Sequence, residues 1–247
     1  MVSTNSHYET LAASYDALWS ETQSSVDSMT DLIVQHLQPQ PASRIADIGG
    51  GTGIFAKALL QRIDLHHPIK VVDPSPSMLK TLNESSQIET LVEDADRFSR
   101  RGERVDRILI KEAVHHFPDA AGSLQRLAQC LEAHGRIVIV MLPRRIEYPL
   151  FQAALDKFEA LQPDPQTIAD ALTAAGLDVD IERHAFTRSI PTARYIEMVE
   201  SRYMSLLSEF SDEELATGIQ EMRQNLPDDT VGFSDWFVLV TGVHSGD

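Results

Sequence analysis

Arg44-Ile-Ala-Asp-Ile-Gly-Gly-Gly-Thr-Gly-Ile-Phe-Ala56 carries an apolar strand straight into four glycines and out into a helical pattern. Glycine lets the backbone turn sharply, take positive φ and approach a ligand with no Cβ in the way. The start of the following helix adds unpaired N–H groups. The stretch therefore predicts a nucleotide-cofactor site, and two cofactor classes compete for it. Gly51-Thr-Gly-Ile-Phe-Ala56 fits the dinucleotide pattern G-x-G-x-x-G/A, with Asp73 20 residues beyond Gly53, where an acidic residue binds ribose hydroxyls. In that pattern, however, the first glycine follows the strand directly and the helix start cradles a pyrophosphate. Here Gly49 and Gly50 intervene and Asp47 precedes them. An anion at that point repels a phosphate and suits a cationic ligand, one with an ammonium or a sulfonium group.

Outward from this loop the chain alternates. Helical patterns at about 8–19 and 26–38 precede Pro39 and Pro41 and the strand at 44–48. Short strands rich in Ile, Val and Leu follow at about 69–73, 88–92, 106–111 and 134–141, separated by helical patterns at 53–63, 76–83 and 121–133. That alternation predicts a parallel sheet. A helix at 165–175 ends at Gly176 and leads to a strand at about 177–188, and Gly232-Phe-Ser-Asp-Trp-Phe-Val-Leu-Val-Thr-Gly242 reads as the last strand. Residues 142–164 and 189–230 exceed a minimal sheet. The second block reads as helices 192–210 and 212–225, with Ser211-Asp-Glu-Glu214 as a capping box. With residues 1–38 they are expected to form cap or lid elements over the strand C-termini of one domain spanning 1–247, where open α/β sheets bind ligands. Gly122, just ahead of a surface helix, is expected to carry no conformational constraint.

Composition narrows the function. The 247 residues carry a formal net charge of −16, so there is no basic surplus to neutralise nucleic-acid phosphates or to bind an anionic membrane surface. Cys130 is the single cysteine, which leaves neither a disulfide framework nor a cysteine-based metal site, and no metal is expected. The N-terminus lacks a basic n-region and an apolar h-region, and no run approaches the length that spans a bilayer. A cytoplasmic protein, monomer or homodimer, is expected.

The pattern Asp47-x-Gly49-x-Gly51-Thr-Gly53 resembles the first motif of class I S-adenosylmethionine-dependent methyltransferases. Val71-Val-Asp-Pro-Ser-Pro-Ser-Met-Leu79 is similar to that family's second strand with its acidic ribose ligand, and Val92-Glu-Asp-Ala-Asp96 to its adenine-binding turn. Val105-Asp-Arg-Ile-Leu-Ile-Lys-Glu-Ala-Val-His-His-Phe117 looks like the fourth strand and the loop beyond it. The four matches stand in order over roughly residues 40 to 142 and point to the small-molecule, type 11-like branch, often found in secondary metabolism. The resemblance implies a Rossmann-like, doubly wound, seven-stranded α/β sheet, mostly parallel, with an antiparallel last strand next to the sixth. It implies S-adenosyl-L-methionine as cofactor and in-line displacement of its methyl group by an N, O or C atom of a small metabolite.

It also implies residue roles. Asp47 is expected to hold the cofactor's amino end, with Gly49, Gly51 and Gly53 packing against it, and Asp73 to accept both ribose hydroxyls, with Pro74 beside it. Met78 lies on the adenine face or in the core. Asp94 fits the adenine amino group, the Ala95 N–H a ring nitrogen, and Lys111 contributes its backbone carbonyl. His115 and His116 follow. Histidine titrates near neutrality, which suits His116 as a general base, but an orienting role for the pair is the better reading. Tyr8 and Tyr15 resemble an N-terminal segment that closes over the cofactor, where aromatic faces attract a sulfonium; ordinary helix packing explains them as well. Arg144, Arg145, Tyr148, Arg194, Tyr195, Arg202 and Tyr203 make the cap aromatic and cationic, which suits a planar or anionic acceptor or a solvated face. Two other functions stay open: an NAD(P)-dependent oxidoreductase using Gly51, Gly53 and Asp73, and a non-catalytic protein that binds S-adenosylmethionine.

Overall fold

A computed structural model of the chain describes residues 23–82, 85–227 and 229–245. Strand β1 (Ile45–Ile48) is buried at every position, as a central parallel strand covered on both faces must be. It pairs in parallel with β2 (Ile69–Val72) on one side and with β4 (Val105–Lys111) on the other. Outside β2 lies β3 (Ile88–Leu91), and beyond β4 lies β5 (Leu131–Met141), both parallel. The sheet is completed by β7 (Thr230–His244), antiparallel to β5 from Arg136↔Val243 to Met141↔Val238, and by β6 (Leu177–Pro191) at the edge. The order β3-β2-β1-β4-β5-β7-β6 is the seven-stranded, mostly parallel sheet expected, with β7 inserted between β5 and β6. The strand order reverses at β1, so the glycine loop leaves the sheet at its topological switch point, where doubly wound sheets take ligands.

The described residues fall into two compact units, and β6 and β7 contribute to both. The first holds residues 23–141, 163–182 and 238–245. Its core joins Ile48, Ile108, Ile110, Ile137 and Ile139 of the sheet to Leu124 and Leu127 of α5 (Ala120–Gln129) and to Ile168 and Leu172 of α7 (Pro165–Ala174). Helix α1 (Gln23–Leu37), grouped with the cap in the sequence reading, belongs here: Met29, Leu32, Ile33 and Leu37 are buried and the helix packs against α2 (Ile54–Leu60), β4 and β5. Two short helices, α3 (Pro76–Leu79) and α4 (Ala95–Ser99), follow β2 and β3.

Residues 142–162 and 183–237 make up the second unit, close to the cap segments read from the sequence. It contains α6 (Gln152–Leu161), α8 (Thr192–Glu200) and α9 (Asp212–Asn225). The capping box at Ser211 and Glu214 is formed in both directions. The helix expected over 192–210 stops at Glu200. Arg202 takes a left-handed φ of 55°, its guanidinium donates to the carbonyls of Leu207 and Phe210, and a 3-10 turn at Ser205–Glu209 follows. Phe151 lies flat against Gly218 of α9, where a Cβ has no room, and meets Phe210 edge-on at 5.2 Å.

A buried polar network holds this unit together. Asp235, 6 % exposed, accepts from the Tyr148 hydroxyl at 2.5 Å and from two nitrogens of the Arg188 guanidinium at 2.9 Å each. Tyr195 and Tyr203 bond to each other through their hydroxyls at 3.2 Å, and Phe233 packs on Tyr148 and Tyr195.

Candidate active site

The loop between β1 and α2 is shaped by three glycines in the left-handed region, Gly49, Gly51 and Gly53, with φ of 72°, 56° and 70°. Its first turn is tied to the neighbouring strand, since Gly49 N–H donates to Val72 O at 2.7 Å and Gly53 N–H closes back on Gly50 O at 2.9 Å. Gly49 comes so close to Ala113, just after β4, that no side chain fits between them. Gly50 is confined differently. A Cβ there meets Val71 Cγ1 at 2.7 Å and the Asp47 carboxylate at 2.8 Å. The sequence reading passed over Gly50, although the unbroken Gly49-Gly50-Gly51 run was the signal for it.

Asp47 sits at the foot of this loop, one residue before the end of β1, and is 2 % exposed. Burial pushes its carboxyl up to about 7, and the Asp73 charge adds to the rise, while the Lys111 ammonium opposes it. Lys111 ends β4, and its Nζ lies 4.7 Å above the Phe55 ring. Asp73 follows β2. Its Oδ2 accepts the Gly51 N–H at 3.0 Å and its Oδ1 the Ser75 N–H at 2.9 Å. Burial raises its pKa, opposed by these two backbone donors. Each oxygen keeps a lone pair for a further donor, so the carboxylate fixes the glycine loop and can still receive a diol.

The structure brings Met78 to this place as well: it is buried on α3, and its Cε stands 3.1 Å from where a Cβ on Gly51 would be. Met78 is thus a core residue that also lies against the glycine loop. Pro74 is exposed next to Asp73. Asp94 is the N-cap of α4, accepting the Arg97 N–H at 2.8 Å, and Ala95 is the first helical residue and buried.

Beyond β4, Glu112 adopts a left-handed φ of 51° and donates its N–H to Val140 O at 2.8 Å. Such a conformation is uncommon for a side-chain-bearing residue, and it turns the chain into the 3-10 turn Val114–His116. The rings of His115 and His116 stand 4.0 Å apart. Burial, then the neighbouring His116, lowers the His115 pKa to about 3, so this imidazole is neutral across the physiological range. Its Nδ1 is buried and has no hydrogen-bond partner among the described residues.

The other acceptor-side residues lie in the second unit or outside the described residues. Arg144 is exposed and donates to Glu159 O. Tyr203 is 4 % exposed and part of its unit's core. Tyr8 and Tyr15 fall outside the described residues.

The donor set fits S-adenosylmethionine. Glycines 49 to 51 leave a cradle that side chains would fill, a buried carboxylate waits at Asp47, and a second one is held at Asp73 by backbone donors. A dinucleotide fits less well, because the Asp47 charge stands at the base of the loop that would hold its pyrophosphate.

Comparison with known proteins agrees. A family model described as a methyltransferase domain matches residues 46–139. An uncharacterized methyltransferase of Mycobacterium tuberculosis is 26% identical over 179 residues, 71% of this chain and 70% of that protein. The ubiquinone biosynthesis O-methyltransferase of Azorhizobium caulinodans is 25% identical over 129 residues, 47% of this chain and 50% of its own. Among solved structures, a Haemonchus contortus phosphoethanolamine N-methyltransferase complexed with phosphomonomethylethanolamine and S-adenosylhomocysteine shares the fold, with a TM-score of 0.63 at 17% identity over 99% of this chain and 61% of the other. No helix among the described residues is long and apolar enough to cross a membrane. The glycine loop with its two carboxylates, the sheet order and these likenesses together support a class I S-adenosylmethionine-dependent methyltransferase, with S-adenosylmethionine as cofactor.

Proposed function

We propose that the acceptor is a small metabolite, methylated on an N, O or C atom, and that the protein acts in the cytoplasm as a monomer or homodimer. The observation that carries the small-molecule reading is charge: at −16 the chain has no surplus cation with which to hold a nucleic acid. The named relatives support it, since a ubiquinone-pathway O-methyltransferase and an enzyme crystallised with phosphomonomethylethanolamine both act on small acceptors.

Asp47 holds the amino end of the cofactor, Asp73 takes the ribose hydroxyls on the lone pairs left by Gly51 and Ser75, and Met78, Asp94 and Ala95 border the adenine. Lys111 offers its backbone carbonyl. S-adenosylmethionine held by these residues would supply an electrophilic methyl group for in-line displacement by the acceptor's nucleophile, with S-adenosylhomocysteine as the leaving group. The protein's own contribution is mainly to hold the two reactants in line and keep water out. His115 is neutral and its buried Nδ1 has no hydrogen-bond partner among the described residues, so it orients the acceptor by a hydrogen bond rather than storing a proton. His116 completes the turn and takes up the proton if the acceptor must lose one. The buried, bonded Tyr203 serves its unit's packing.

A panel of small amines, phenols and carbon acids, incubated with S-adenosylmethionine and followed by mass spectrometry for S-adenosylhomocysteine and a product heavier by one methyl group, tests this. Turnover of a nucleic acid or protein in place of every small acceptor overturns it. Tight cofactor binding with no turnover on any acceptor class identifies the non-catalytic alternative.

A further inference from the structure

Lys111 is the last residue of β4. In the parallel register of β1 and β4, Asp47 is paired with Leu109. Side chains two residues apart on a strand share a face, so Lys111 projects from the same face of the sheet as Asp47, one strand away and nearer the strand ends where the glycine loop begins. Helix α2 covers this face, and the Lys111 Nζ stands 4.7 Å above the ring of Phe55 in its first turn. An aromatic face attracts an ammonium. The Asp47 carboxyl also feels this cation: burial and then the Asp73 charge raise its pKa, and Lys111 opposes them. All of these residues belong to the unit that carries the glycine loop.

A buried carboxylate and an ammonium on one face of a sheet, a strand apart, are the complement of a zwitterion. The methionine end of S-adenosylmethionine is one: it carries an ammonium and a carboxylate on the same carbon. Asp47 answers only the first of these charges. A carboxylate brought into a closed site with no cation to meet it is costly. We propose that the Lys111 ammonium pairs with the cofactor's carboxylate, so that Asp47 and Lys111 together read the amino-acid end of the cofactor as a zwitterion. The inference rests on the reading that places the cofactor's amino group on Asp47. It gives the Lys111 side chain a role beside that of its backbone carbonyl. A flexible four-carbon stem lets the ammonium swing from the Phe55 ring toward the loop while the backbone stays fixed in β4. In the cofactor-free protein the same charge lowers the cost of ionising Asp47. The pair therefore selects a ligand that keeps its carboxylate over one that has lost it.

Calorimetry with two ligands tests this: S-adenosylhomocysteine, and its decarboxylated counterpart, the same thioether with the amino group but no carboxylate. The readout is the ratio of the two affinities. Any change in Asp47 ionisation cancels in that ratio, because both ligands carry the amino group. Lys111→Met is expected to lower the preference for S-adenosylhomocysteine by about 10- to 100-fold, the loss of one charge-assisted hydrogen bond. Thermal unfolding checks the fold of the variant, and Lys111→Gln is measured beside it and read in the same way. A ratio within about 3-fold of that of the unmodified protein, or a higher one, overturns the inference, whatever becomes of the two affinities separately. Asp47→Asn is expected to weaken both ligands. If it leaves both unchanged while Lys111→Met lowers the ratio, the placing of the amino group on Asp47 fails and the Lys111 contact stands. If the unmodified protein binds neither ligand, the cofactor reading fails and this inference with it.

Discussion

If Asp47 holds the cofactor's amino end, as proposed, its burial makes cofactor affinity depend on pH in a defined direction. In the cofactor-free protein its carboxyl is pushed up to about 7, whereas in an unfolded chain it ionises near about 3.9. Between those values the folded protein keeps a proton that the unfolded chain gives up. The stability this carboxyl contributes is therefore fully present below about pH 4 and is lost as pH rises through about 7. A gap of about 3 pH units at about 1.4 kcal/mol each amounts to roughly 4 kcal/mol. Asp47→Asn removes the buried charge, so its stability relative to the unmodified protein should climb by up to that amount between about pH 4 and pH 8. On the proposed reading the cofactor's ammonium group pairs with the ionised form of this carboxyl. Two units below its pKa about 1 % of the carboxyl is ionised, so S-adenosylhomocysteine should bind about 50-fold more weakly at about pH 5 than at pH 7. Calorimetry in buffers of different ionisation enthalpy should register close to one proton released at the lower pH. The Asp47→Asn variant should bind weakly at both. Affinities within about 3-fold of each other at the two pH values, or the same slope in Asp47→Asn, would refute the assignment of Asp47 to the amino end.

Asp73→Ala removes a ligand carboxylate together with the anchor of Gly51 and Ser75, and S-adenosylhomocysteine affinity should fall by about 2–4 kcal/mol in free energy, roughly 30- to 1000-fold; unchanged calorimetric affinity takes Asp73 out of the site. Gly51→Val should abolish binding, because a β-branched side chain resists φ 56° and meets Met78. The matched control is Gly232→Ala, whose Cβ has only an ordinary 3.7 Å contact with Arg188 O. Equal loss in both variants shows the loop to be misassigned. His116→Asn should cost turnover less than about 10-fold if positioning dominates, and a loss of about 10²- to 10⁴-fold with cofactor affinity intact would instead make His116 a general base. Asp235→Ala should destabilise by about 3–5 kcal/mol in denaturant titration, because it removes the buried carboxylate on which the Tyr148 hydroxyl and the Arg188 guanidinium converge, while Arg144→Ala at the surface should stay within about 0.5 kcal/mol.

What the sequence made legible is what is local. The strand entering a glycine run, Asp47 before it and Asp73 after the next strand are short-range patterns, and each lands where its spacing places it. The same holds for the capping box at Ser211. What escaped depends on residues far apart in the chain. Nothing near Asp235 announces that Tyr148, 87 residues earlier, and Arg188, 47 residues earlier, converge on it. Gly122, which looked unconstrained, lies in the first turn of α5 with its N–H on the N-cap Asp119, and a Cβ there collides with that carboxylate. Asp94, expected at the adenine amino group, also uses one carboxylate oxygen as the N-cap of α4, a role the sequence reading did not foresee. The helix α6 was hidden because 142–164 carries no capping signal, and Phe151 at its N-cap makes no side-chain cap.

The position of β7 has a consequence for how the molecule is made. β5 leaves the ribosome about a hundred residues before β7, yet β7 is the strand that pairs with it, and β6 can join the sheet only once β7 is in place. During synthesis the sheet therefore ends at β5, with an apolar strand (Ile137, Val138, Ile139, Val140) open along one side until residues 238–243 emerge. An unpaired hydrophobic strand of this kind is where newly made chains associate wrongly. The interval between translation of Met141 and of Val243 is thus the period in which this chain most needs a chaperone, and slowing elongation across it should lower the yield of soluble protein more than slowing it elsewhere.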